Sequence, residues 1–351
     1  MVSENESEKT IAEDDPNITN ETNSDETSVT SGLETLQEDE NSNAEKLISE
    51  KYVNAEGNCI IADMSAFQGS DIDKLLEYKI TGNEGLSPEY VGKQIPGVIL
   101  KIGASGFGTD NPDINLMEET YDKEHWNNSI FNSQSILAGT KYAIYYYSTA
   151  FTREEADKEI GRIKEFLDHA KERGIPPAIL FLDKELYEPE NPGRLYGKEI
   201  TETTAYQIAI LNQYVPTGLY TDDRSAGKNS PEKILNLEEL YKLLNEREIP
   251  VILWGALIGD TEENRIKEAE FRKCCDIFLR QIKHDLVVNG QKLDVSVISD
   301  KDLLEIFGCK SFPELVNFKP ERVELASSIK EELEEENPYI NVTFPSDYYR
   351  N

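Results

Sequence analysis

The chain has 351 residues, with 68 Asp and Glu against 36 Lys and Arg and a formal charge of −32. Nucleic acid is bound largely through Lys and Arg that neutralise phosphates, so this charge excludes a polynucleotide partner and disfavours an anionic membrane surface. A hydrophobic fraction of 38% is low for a globular chain and implies that part of it stays outside any packed core.

The acid is concentrated at the two ends. Residues 1–50 carry a net −13 and residues 319–351 a net −4, which leaves −15 on the middle. Residues 1–46 are mostly Ser, Thr, Asn, Glu and Asp, with few apolar side chains and no aromatic one. Such a segment buries too little surface to offset its ordering entropy and reads as a disordered acidic tether. No apolar run approaches the roughly 18 residues of a spanning helix, so no membrane insertion is expected. No hydrophobic signal segment opens the chain either; export would require a signal removed beforehand.

From residue 57 the texture changes. Eight short apolar runs follow: 59–62, 97–102, 142–147, 178–182, 217–220, 250–254, 277–279 and 293–297. They are nearly continuous rather than alternating, as expected of strands buried on both faces. Helical candidates lie between them at Asp71–Tyr78, Asn115–Leu137, Thr152–Arg173, Thr201–Asn212, Leu237–Asn245 and Glu262–Cys275. Thr152 with Glu155 forms a capping-box pattern, and Ile160, Ile163, Phe166 and Leu167 recur at helical spacing. Asp300–Phe307 reads as a closing helix. Residues 309–351 form a C-terminal extension with one acidic helix, Glu321–Glu336, for which a cap on the core and a loose tail are both open. Eight strands alternating with helices over residues 57–308 predict an α/β fold, an irregular (β/α)8-type TIM-like barrel, with an open doubly wound sheet as the alternative.

Cys59, Cys274, Cys275 and Cys309 contain no CxxC, and His125, His169 and His284 show no HxxxH spacing. Neither a metal site nor a disulfide framework is indicated. The segment Gly103-Ala104-Ser105-Gly106-Phe107-Gly108 has the wrong glycine order for a dinucleotide loop. No cofactor is expected.

In a barrel, side chains at the C-terminal strand ends converge on one mouth. The first strand ends at Asp63, the third in Tyr145-Tyr146-Tyr147, the fourth in Asp183-Lys184-Glu185, the sixth at Trp254 and the seventh near Gln281; the eighth contains Asp294. Carboxyl groups with aromatic faces are the inventory of a sugar-cleaving site. Residues i and i+2 of a strand point the same way about 6.6–7 Å apart, so Asp183 and Glu185 can face one glycosidic bond. Two such acids repel when both ionise, which raises the pKa of one and makes it a proton donor near neutral pH. Within Tyr145–Tyr147, one or two side chains should face the mouth and the rest should pack.

Four stretches give this inventory a family likeness: Asp63–Gly69 (DMSAFQG), Val98–Asp110 (VILKIGASGFGTD), Tyr142–Ala156 (YAIYYYSTAFTREEA) and Pro177–Glu185 (PAILFLDKE). Weaker echoes follow at Thr217–Thr221, Leu253–Ala256, Gln281 and Leu293–Val295. Over roughly residues 58–308 the chain resembles glycoside hydrolase family 25, the lysozyme-like muramidases. The resemblance implies Glu185 as general acid, Asp183 as the group that orients the substrate's acetamido arm, and Asp63 as a further catalytic carboxylate. It implies Asp294, Tyr145, Tyr147, Tyr220, Trp254 and Gln281 as substrate-binding residues. The implied reaction is hydrolysis of the β-1,4 bond between N-acetylmuramic acid and N-acetylglucosamine, with the sugar's own acetamido oxygen as nucleophile. The implied partner is the peptidoglycan glycan strand, met by a monomer outside the cell or in the envelope, or by a phage lysin.

The chain departs from the family pattern in three respects, the first being that the 80–96 and 187–200 stretches are longer than typical. Arg280-Gln281-Ile282 stands where the family carries Trp-Gln-Tyr, and Lys184 occupies the middle of D-x-E and should point away from the mouth. A chitinase-type D-x-x-D-x-D-x-E fails, because Ala178 and Phe181 occupy two of its Asp places. A non-catalytic glycan-binding or structural barrel is the alternative reading.

Overall fold

The computed structural model describes residues 45–65, 71–105, 123–185, 198–227, 235–259, 261–288 and 290–317. All belong to the unit Glu45–Asn351. The predicted tether up to residue 44 and the predicted helix Glu321–Glu336 lie outside the described residues.

Eight strands close into a barrel: β1 (Asn58–Met64), β2 (Val98–Ala104), β3 (Ala143–Tyr147), β4 (Ile179–Asp183), β5 (Thr217–Asp222), β6 (Ile252–Ala256), β7 (Ile277–Val288) and β8 (Gln291–Ser299). Each pairs with its neighbour in sequence, and β8 closes the ring on β1. Strands β1 to β7 run parallel, while β8 is antiparallel to both β7 and β1. A short ladder joins Ala226–Gly227 to Leu235–Asn236 beside the ring.

The continuous apolar runs are explained by burial on both faces. On β4 every residue is buried, and on β1 all but Asn58. Inside the ring, Cys59, Ile61, Ile99, Phe181, Trp254 and Leu279 form one cluster. Outside it, Ile60, Leu100, Ile144, Tyr146 and Leu182 pack beneath the helices. The principal outer helix, Arg153–Glu172, buries Ile160, Ile163 and Phe166, and its Thr152–Glu155 capping box forms as the sequence predicts. The inner cluster continues through Leu303 and Ile306 of the helix Asp300–Ile306 and through Ile48 of a helix over residues 45–52. Phe312 and Leu315, in the first part of the C-terminal extension, join the same cluster, and Phe312 stacks on Tyr52 at 5.7 Å. Residues 309–317 therefore pack on the core.

Two elements differ from expectation. The described part of Asn115–Leu137 is not one helix. A π turn, Trp126–Ile130, ends there, and Ser133 caps a new helix, Gln134–Ala138, by accepting from the Ile136 N–H at 3.2 Å. No helix separates β7 from β8, which form an antiparallel hairpin instead. The sequence between them is Asn289-Gly290, a dipeptide that favours tight hairpin turns, and Gly290 adopts a φ of 78°.

The barrel interior alternates bulky and small groups. A Cβ added at Gly218 would lie 2.8 Å from both the Ile252 carbonyl oxygen and the Phe181 ring. Gly218→Ala should therefore cost about 1–3 kcal/mol of stability. A urea-unfolding midpoint equal to that of the parent would refute this packing.

Candidate active site

Alternation along each strand decides which side chains enter the ring. The inward set that begins with Cys59 and Ile61 ends at Asp63, and the set of Ile179 and Phe181 ends at Asp183. On β3 the inward residues are Tyr145 and Tyr147, both half-buried, while Tyr146 packs outward. Glu185 follows Asp183 by two and is partly exposed just beyond the strand. From β5 come Tyr220 and Asp222, and from β7 Gln281.

The reversed direction of β8 places its first half, not its last, at this mouth. Asp294 consequently stands directly opposite Asp63 in the β1–β8 register. A single side chain manages these two acids. The Gln281 amide donates to Asp294 at 3.1 Å and to Asp63 at 3.3 Å, and its oxygen accepts the Tyr220 hydroxyl at 2.7 Å. Asp294 also accepts from the Asp285 N–H at 2.9 Å and contacts His284 Nδ1 at 3.1 Å. Asp285 adopts a φ of 51°, and the β7–β8 ladder shifts register around Asp294, so the hairpin is irregular there.

Eight of the nine predicted site residues thus reach one mouth. The ninth, Trp254, lies beneath it. Trp254 is 1% exposed, its indole N–H donates to Ser296 at 2.9 Å, and the rings of Tyr145, Phe181 and Tyr220 surround it at 4.3–6.0 Å. It supports the floor and has no face left for a sugar, which corrects the expectation that it binds substrate. Lys184 points away from the mouth as expected. It is fully buried, and its ammonium donates to the Ala150 carbonyl at 2.9 Å. Beside that loop, the buried Glu159 carboxyl accepts the N–H groups of Thr149 and Ala150, the Gln207 amide, and the hydroxyls of Ser105 and Ser148. The β3 loop and the D-x-E segment are thereby tied to one internal anchor.

Four residues at the mouth were not predicted: Lys101, Asp222, Arg224 and His284. Lys101 is inward on β2, with its ammonium 5.9 Å from the Tyr147 ring centre. A charged residue inside VILKI, two positions after the inward Ile99, was a readable signal. Asp222 ends β5, so the rule that picked Asp183 would also have found it.

The electrostatics follow from burial. Asp63 is 4% and Asp183 6% exposed, and burial holds both well above the ordinary carboxyl range. The Asp294 charge pushes Asp63 further, while the Gln281 donor opposes. The Glu185 charge pushes Asp183 further, while Lys101 opposes. Glu185 itself is raised to about 7, by burial first and then by Asp222, against the Tyr220 hydroxyl, Arg224 and His284. His284 is raised, chiefly by its bond to Asp294. Asp183 Oδ1 is buried without a hydrogen-bond partner among the described residues. A buried acceptor in that state is costly unless something donates to it.

No family model matches the chain, and no curated protein matches it. Solved structures similar to it include the catalytic domain of the endolysin Ply40 from bacteriophage P40 of Listeria monocytogenes. That match has 14% identity and a TM-score of 0.40, over 71% of this chain and 97% of that one. The modular autolysin LytC of Streptococcus pneumoniae matches with 16% identity and a TM-score of 0.43, over 70% of this chain and 47% of that one. GHIP, a glycosyl hydrolase 25 of Streptococcus pneumoniae, matches with 15% identity and a TM-score of 0.35, over 71% and 93%. Identities this low bear on no activity.

The raised value of Glu185 has a consequence for stability. A carboxyl whose native pKa exceeds its unfolded value stabilises the fold while protonated. The contribution is full below the ordinary 4.5 and is lost as pH rises through about 7. Glu185→Gln stays neutral throughout. Its melting temperature should exceed that of the parent at pH about 8, and the gain should shrink as pH falls from about 7 to 4.5. A melting difference that is flat across this window would contradict the assignment.

Proposed function

We propose that the chain is a cell-wall muramidase that hydrolyses the β-1,4 bond between N-acetylmuramic acid and N-acetylglucosamine. The observation that carries this reading is the convergence of Asp63, Asp183 and Glu185 at one barrel mouth, with Asp183 and Glu185 emerging side by side. In this reading Glu185, protonated up to about pH 7, donates to the glycosidic oxygen as the bond breaks. Asp183 receives the acetamido N–H at its unpartnered oxygen and turns the acetamido carbonyl toward the anomeric carbon. The carbonyl oxygen then attacks, so no enzyme carboxylate is needed as nucleophile. As positive charge spreads over the acetamido group, the Asp183 oxygen that accepts its N–H offsets that charge. Water opens the cyclic intermediate, with Glu185 now acting as base. Asp63, Asp294, Tyr147 and Tyr220 line the cleft that holds the sugars. Peptidoglycan lies outside the cytoplasmic membrane, so the protein would act from the cell exterior, the envelope or a phage lysis system.

The altered seventh strand does not weaken the reading. Gln281 alone of Arg280-Gln281-Ile282 enters the mouth. Arg280 faces outward and pairs with Glu268 at 3.2 Å. The departure from the family pattern thus falls outside the cleft.

Purified peptidoglycan tests the proposal. The protein should release reducing ends at muramic acid, and Glu185→Gln should lose about 10²–10⁴-fold in rate. Chitin oligomers, which lack muramic acid, should be poorer substrates by product mass analysis. Glycan binding without turnover would establish the non-catalytic alternative. The rate should also fall as pH rises through about 7, because the acid loses its proton there.

A further inference from the structure

Glu185 leaves β4 where β5 still runs beside it. The Lys184 N–H donates to the Tyr220 carbonyl at 2.9 Å, and the Thr221 hydroxyl donates to the Lys184 carbonyl at 3.0 Å. The parallel register Asp183↔Tyr220 therefore continues past the strand end and sets Glu185 beside Asp222. Asp222 is 3% exposed. It accepts from the Ser225 N–H at 2.8 Å and from the guanidinium of Arg224, whose side chain is 64% exposed. Neither Asp222 nor Arg224 has a part in the reaction described above.

We propose that Asp222 and Arg224 act as opposed positioning residues for the proton on Glu185, Asp222 retaining it and Arg224 favouring its release. A buried anion beside a carboxyl disfavours a second negative charge, and its effect is little screened. An exposed guanidinium is screened by water, so it offsets Asp222 only in part. The ladder fixes the first charge next to the acid; Arg224 sits at its outer rim.

Other charges face Glu185 and are common to every variant considered. Asp183 stands on its own strand and Asp63 on β1. The Tyr220 hydroxyl of β5 acts to lower the Glu185 pKa, and His284 on the hairpin offers a positive charge when protonated. Lys101 of β2 acts on Asp183, and Asp294 of β8 on Asp63.

The inference rests on Glu185 being the acid, so two measurements separate its failure from failure of the muramidase reading. The first is a 13C NMR titration of the Glu185 carboxyl without substrate, assigned by the resonance missing in Glu185→Gln. Asp222→Asn should lower the titration midpoint by about one pH unit, and Arg224→Gln should raise it by a smaller amount. The second is the pH dependence of kcat/KM on peptidoglycan, whose basic limb should move in the same two directions. A purely structural role would change melting temperature and leave both midpoints in place, and that result overturns the proposal. Opposite titration shifts without any glycan cleavage would uphold the charge pair and overturn the muramidase reading. Arg224→Gln alters an exposed side chain and keeps the fold, so an unmoved titration in that variant alone also counts against the proposal.

Discussion

A carboxyl group taken out of water must be paired, bonded or kept neutral. The mouth of this barrel takes in Asp63, Asp183, Glu185, Asp222 and Asp294, and its other side chains answer that demand. Gln281 spends its amide on Asp63 and Asp294 together, and its oxygen holds the Tyr220 hydroxyl. Lys101 supplies the inward cation of β2. Asp183 is left with an unpartnered oxygen among the described residues, and Glu185 is held neutral up to about pH 7. The same unfavourable burial that weakens the fold at this end keeps a proton available at the mouth.

The scaffold keeps this arrangement in place from beneath and from behind. Trp254 fills the floor under Tyr145 and Tyr220, so the aromatic rim cannot sink into the ring. Behind β3 and β4, the buried Glu159 carboxyl gathers the backbone of the β3 loop, and Lys184 ties D-x-E to the same loop through Ala150. Positions 183 and 185 enter the mouth while position 184 is drawn to the outer anchor. A strand end is thereby fixed on both of its faces, as expected where a carboxyl must be held within a fraction of an ångström.

Much of this was legible in the sequence. Apolar runs buried on both faces announced the eight strands, seven of which run parallel, and the rule that strand ends meet at one mouth brought Asp63, Tyr145, Asp183 and Glu185 together. The hairpin was not foreseen, because Ile277–Leu279 looked like a complete strand. Periodicity weakens through Arg280–Asp285, where one face of the strand meets polar partners, and only Asn289-Gly290 marked the turn. Asp294 reaches the mouth because its strand runs backward, a direction that no local pattern around Leu293–Val297 carries. Trp254 was misread because a strand-end position does not reveal depth. Four rings crowding one site is a tertiary fact that no local pattern contains. Asp222 was missed although it obeys the rule applied to its neighbours.

Every strand in the ring pairs with the one before it in sequence except at a single seam, where β1 meets β8. That seam is also where Asp63 faces Asp294. A chain emerging from the ribosome can therefore stack its first seven staves in order, yet it owns no finished cleft until the last has emerged and turned back. An early stop anywhere before β8 leaves an open, unsealed sheet with β1 lacking a partner along one edge, and Asp63 without the acid that faces it.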